Sequence, residues 1–177
     1  MKLRNGFVSN SSSSSFIVEF KNVPKSRKEL QDILFGDRQE YHYPYGTKFF
    51  STDDVAAIVW NDMQGGPANK EDIEDRIDGG YPIADHIVGH FLKHSEPQCS
   101  DFEYKDSEGK RATDWAAYKK AWDEYTGQFK RFVNWDAVEE GRVFTFEYSD
   151  NEGQQQCAME RGNLFENAYN VLKVSNH

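Results

Sequence analysis

The sequence predicts an α+β domain running through residues 1–177. A small, mostly antiparallel sheet is expected from an N-terminal strand and a C-terminal hairpin, with helices from the middle of the chain covering one face. Three observations carry this. Alternation of the β type is clearest at the two ends, at residues 16–20 and 143–148, with one further short strand read at 102–104. Between them, apolar residues recur at helical spacing behind capping residues. Aromatic residues make up 15% of the chain, so a core of Phe, Tyr and Trp is available although charged residues reach 29%.

In chain order, the first feature is the run Ser11, Ser12, Ser13, Ser14, Ser15, held between Phe7-Val8 and Phe16-Ile17-Val18. Phe16 to Phe20 then reads as a strand, with Glu19 outward and Phe20 inward. Ser26 is an N-cap for a helix through Leu30, Ile33 and Leu34, with Glu29 as its capping-box partner and Gly36 as the stop. Residues 37–50 read as irregular, marked by Pro44 and Gly46. Ser51 or Thr52 caps a second helix whose apolar face is Val55, Ile58, Val59 and Met63, with Asp53-Asp54 in its first turn. A short acidic helix is expected over 70–78, and a fourth helix over 83–94. Thr113 is expected to cap the longest helix, whose stripe is Trp115, Tyr118, Trp122, Tyr125, Phe129 and Phe132. Core packing is the expected use of that stripe, and docking of a partner helix the alternative. Residues 134–141 close it, residues 143–148 and 154–159 form the hairpin, and Leu172-Lys173-Val174 is a last strand.

The net charge of −9 is uneven. Residues 51–110 hold fourteen acidic and five basic groups, whereas residues 1–50 hold eight basic and five acidic. General nucleic-acid binding is therefore not expected, since phosphate contacts need Lys and Arg. A negative face toward a basic protein is expected at Glu71, Asp72, Glu74 and Asp75. That segment, KEDIEDRID, is not a calcium loop: it lacks the DxDxDG register, and Ile73 and Ile77 recur at helical spacing. The longest apolar runs are a few residues, so no membrane span is expected, and MKLRNGFVSN has no apolar stretch of a secretory leader. Two cysteines, Cys99 and Cys157, without a CxxC point to a reducing compartment, the cytoplasm.

Three stretches are candidate sites. A turn of serines can offer hydroxyls and backbone N–H groups to a phosphate, although neither a Walker A pattern nor its Lys is present. His86, His90 and His94 are spaced i, i+4, i+8; neighbouring pairs would lie about 6 Å apart along the axis and could share a divalent metal, the one cofactor the sequence suggests. Tyr41, His42, Tyr43 and Tyr45 form a compact aromatic cluster, of the kind that makes protein contacts or plugs a loop.

At GFVSNSSSSSF, and again at FEYSDNEG, AMERGNLF and the final VSNH, the chain resembles a set of small uncharacterised proteins from bacteriophages and prophages. The resemblance covers about 18 residues at the front and about 35 at the end, and none of the middle. It implies a phage-encoded accessory protein, and it implies that the two ends meet. Ser11–Ser15, Asp150, Glu160, Arg161 and His177 would then form one polar site; Arg161 stands where relatives often have His. The functional expectations are contact with a host or phage protein, a small enzyme or ligand-binding protein for a nucleotide or phosphorylated substrate at the serines, or a structural place in the virion.

Overall fold

The structure, a computed structural model, describes residues 13–44, 46–82 and 96–175. Strand β1 (Ser13–Glu19) is at the centre of a four-stranded sheet. It pairs antiparallel with β7 (Val143–Ser149) on one side and with β8 (Asn170–Ser175) on the other. Strand β4 (Tyr81–Pro82) adds to the outer side of β8. The register opposes Phe16 to Phe146 and to Lys173, and Val18 to Phe144 and to Val171. The α+β class, and a sheet drawn from both ends of the chain under helices, are as the sequence predicts.

The cover differs from expectation, because helices lie on both faces of the sheet. On one face Phe16, Val18, Phe20, Phe144, Phe146 and Tyr148 pack with α1 (Arg27–Phe35), α2 (Thr52–Met63) and α6 (Gln154–Arg161). On the other, Ile17, Val143, Leu172 and Val174 pack with α3 (Lys70–Gly79), α4 (Trp115–Phe129) and α5 (Trp135–Glu139). This explains why Phe16-Ile17-Val18 is unbroken apolar sequence: a strand buried on both faces has no solvent side. It also reverses the expectation for Glu19. That carboxylate is 4% exposed, accepting hydrogen bonds from Arg142 at 2.8 Å and from Asn134 at 3.1 Å.

Local chemistry fixes the helices. The Ser26 hydroxyl accepts from the Glu29 N–H at 3.2 Å, while the Glu29 carboxylate reaches Lys25 N–H at 2.8 Å. Asn69 and Asp72 form a full capping box at the start of α3, whose Ile73 and Ile77 are wholly buried. Each such side chain stabilises the fold by about 1.5–3 kcal/mol. Asp114, not Thr113, caps α4: its carboxylate accepts from the Ala117 N–H at 3.0 Å.

Three expected elements are corrected. Residues 37–50 contain a small hairpin, β2 (Glu40–His42) with β3 (Phe49–Ser51). Residues 134–141 hold a separate helix, α5, capped by Asn134. Residues 154–159 are not a returning strand. They open α6: β7 ends at Ser149, the 3-10 turn Asp150–Glu152 takes the chain out of the ladder, Gly153 at φ 103° caps the helix, and QQQCAMER is rich in helix formers. A second minor hairpin joins β5 (Glu103–Lys105) to β6 (Arg111–Thr113). The helix expected over 83–94 lies outside the described residues.

Candidate functional site: a polar cluster and cleft at the sheet end

The described serines are strand residues, and the pleat sends them to opposite faces. Ser15 points to the α3 side, where Arg76 donates to its hydroxyl at 2.9 Å and to Glu147 at 3.3 Å. Ser13 opposes Ser149 in the ladder. Ser14 points to the α6 side, and its hydroxyl, 3.5 Å away, donates to Oε1 of Glu160. Ser11, Ser12 and His177 lie outside the described residues. The hydrogen-bonding groups of the backbone at Ser14 and Ser15 face ladders on both sides, so this part of the run is not a phosphate-cradling turn.

Glu160 lies in the last turn of α6 and is only 2% exposed. Arg161 follows it, with Nε 3.7 Å from Glu160 Oε2 and a 2.9 Å bond to Asp150 Oδ2. Asp150 begins the short 3-10 turn after β7. Four of the residues chosen from sequence, Ser14, Asp150, Glu160 and Arg161, are thus brought together. Two members were missed. Lys173 of β8 donates to the Glu160 main-chain oxygen at 2.6 Å and holds its ammonium 5.3 Å over the Phe16 ring. Burial pulls this amine below its ordinary value, and the nearby Arg161 adds to that while the Glu160 charge opposes it. Ser175 opposes Ser14 across the ladder, and its buried hydroxyl has no hydrogen-bond partner among the described residues. The signal was present in the sequence as a single Lys inside the apolar strand Leu172-Lys173-Val174.

Beside the cluster a cleft of about 440 Å³ opens between β8 and the loop that follows α6. Phe16, Leu164 and Phe165 supply its apolar wall, and Arg161, Asn163 and Lys173 its polar one. Glu160 and Asp150 do not line it. The loop is drawn tight against β2: the Tyr41 hydroxyl donates to the Ala158 carbonyl at 3.0 Å and lies against Gly162, where a Cβ would collide with it. Burial, with the Glu166 charge adding, raises the Tyr41 phenol above its ordinary value.

The aromatic cluster from the sequence divides. Tyr41 is buried against Phe35, and the half-buried Tyr43 places its hydroxyl 3.6 Å from the Cys157 sulfur. His42 stays outside, edge-on to Phe49 at 4.1 Å between ring centres. Tyr45, His86, His90 and His94 lie outside the described residues, so the paired-histidine metal site does too. Among the described residues no group of three His, Cys, Asp or Glu side chains is arranged to hold a metal ion.

A second surface lies over the opposite face of the sheet. Successive rings on α4 touch in a row: Trp115 with Tyr118, Tyr118 with Trp122, Trp122 with Tyr125, Tyr125 with Phe129. Its inner end is core, with Phe129 wholly buried, and its outer end is open, with Trp115 65% exposed. Phe102 joins the outer end edge-on to Tyr118, and Tyr104 nearby in the chain is 53% exposed. Helix α3 is clamped to α4 through Asp78, which accepts from Trp122, Thr126 and Lys130. The acidic residues Glu71, Asp72 and Asp75 stand exposed on α3, toward the end where Lys70 lies over the Trp135 ring, with Glu74 half-buried among them. No helix among the described residues is long and apolar enough to cross a membrane. No protein-family profile, curated protein or solved structure matches this chain.

Proposed function

We propose that this chain is a phage-encoded accessory protein that acts by contact with a host or phage protein through the outer half of α4 and the acidic face of α3. The open end of the aromatic row carries this reading: Trp115 is 65% exposed at the tip of a helix whose other end is core. Trp and Tyr are the residues that most often dominate protein contacts, because they bury large area at small entropic cost. On α3, the exposed carboxylates of Glu71, Asp72 and Asp75 select for a partner carrying Lys or Arg and against nucleic acid. The phage origin rests on the resemblance of the two chain ends, and action within the host cytoplasm goes with it.

The test is affinity purification of the tagged chain from infected cells, followed by binding of the recovered partner to purified variants. Trp115→Ala with Tyr104→Ala is expected to weaken that binding at least tenfold, and Glu71→Lys with Asp75→Lys to abolish its salt dependence. Unchanged affinity in both variants, with the fold intact by circular dichroism, rules the reading out.

A further inference from the structure

The cleft beside β8 lies on the other side of the sheet from the proposed protein-contact surface, so its role stands or falls separately. We infer that it is a binding site for an oxyanion carried on a flat apolar body, such as a nucleoside monophosphate or an aromatic carboxylate. The volume of about 440 Å³ lies in the range of small-molecule sites. The apolar wall is formed by the rings of Phe16 and Phe165, 5.3 Å apart and tilted by 55°, with buried Leu164 beside them. Such a wall takes a ring or a hydrocarbon body and offers no hydrogen bond to a polar one.

The charges are arranged asymmetrically about this wall. Arg161 and Lys173 both line the cleft, near enough for the first to disfavour the charge on the second. Their carboxylate partners do not line the cleft: Asp150 bonds Arg161 at 2.9 Å, and the buried Glu160 lies 3.7 Å from it. The carboxylate on the rim, Glu166, is turned to Arg38 at 2.9 Å. An ammonium has three donors, and Lys173 is seen to use one of them on the Glu160 main-chain oxygen. The Asn163 carboxamide on the same wall can supply a neutral donor. Phosphate and carboxylate share this recognition, since both present two or more acceptor oxygens to paired cations.

Isothermal titration of the whole chain tests the assignment with four probes: adenosine monophosphate, adenosine, 1-naphthoate and 1-naphthamide. At least one anion is expected to bind at least tenfold more tightly than its neutral counterpart, with affinity falling as salt rises. Binding by the nucleotide alone, or by the naphthoate alone, identifies the source of the oxyanion. Lys173→Met keeps the stem over Phe16 and is expected to weaken the bound anion by about 10- to 100-fold, the worth of one charge-assisted hydrogen bond. Ala168→Leu, which narrows the cleft without touching a charge, is expected to weaken it as well. The assignment is overturned if neither anion binds, if the neutral probes bind equally well, or if both variants bind as the parent does.

Discussion

Replacing Phe129 by Ala, and in a separate variant Trp115 by Ala, should divide the aromatic row of α4 into a structural and a surface half. Phe129 is wholly buried, with its ring centre 5.1 Å from that of Tyr125 and in one apolar cluster with Ile73, Ile77 and Val143. Truncating such a ring removes its transfer energy and leaves a cavity, a cost of about 3–5 kcal/mol. Trp115 is 65% exposed and touches only Tyr118 among the described rings, so its truncation should stay within about 0.5 kcal/mol. For a chain of this size the guanidinium dependence is on the order of 4 kcal/mol per molar. Phe129→Ala should therefore lower the unfolding midpoint by about 1 M, and Trp115→Ala by about 0.1 M. Far-ultraviolet circular dichroism reads both, since four tryptophans complicate fluorescence. A Trp115→Ala cost above half that of Phe129→Ala would show the outer row to be packed like the inner, and the surface argument would fail.

Three further outcomes follow from the sheet and its polar end. Burial holds the Lys173 amine below its ordinary value, so the fold disfavours the charged form. That penalty is whole below the folded value and fades as pH climbs to the ordinary 10.5, so the parent gains stability with pH in this window. Lys173→Met should melt higher than the parent at neutral pH, with the gap closing toward pH 10.5; parallel melting curves contradict it. The Ser175 hydroxyl is buried without a hydrogen-bond partner among the described residues, so Ser175→Ala should be neutral or stabilising by up to about 1 kcal/mol. A clear loss on chemical denaturation counts against that placement. Glu19→Ala removes the acceptor that Arg142 and Asn134 share at a buried position and should destabilise the fold, although Arg142 keeps its 2.7 Å bond to Glu140. A double-mutant cycle with Arg142→Ala should return a coupling above about 1 kcal/mol, and simple additivity would refute it.

The sequence carried the ends of the sheet because Phe16, Val18, Phe144 and Phe146 repeat at the two-residue period of a strand. It carried the helix starts because Ser26 and Ser51 bond locally, within three residues of themselves. It misjudged Glu19 because a charged residue in a strand reads as a solvent marker, and the cover on the second face comes from α5, more than a hundred residues away. The returning strand over 154–159 failed for a related reason. The 3-10 turn Asp150–Glu152 and Gly153 after it lead the chain from ladder to helix, and neither Gln154 nor Met159 signals that. At the site, Ser14, Asp150, Glu160 and Arg161 were legible through the likeness of the chain ends, not through spacing. Lys173 was legible only as a lone charge inside an apolar strand, because its role depends on lying opposite Phe16 across a ladder.

The central place of β1 has a consequence for how the chain reaches its fold. Its partners on either side are residues 143–149 and 170–175, so every ladder it makes closes a loop of more than a hundred residues. Loop closure of that length must be paid before any of the pairing is rewarded, which makes formation slow compared with a helical bundle of equal size. During synthesis the serine strand leaves the ribosome with no neighbour to pair with, and its run of Phe, Ile and Val waits exposed until the last strand is made. Helices α1 and α2 emerge next and can pack on each other first, which leaves that strand as the segment most in need of a chaperone.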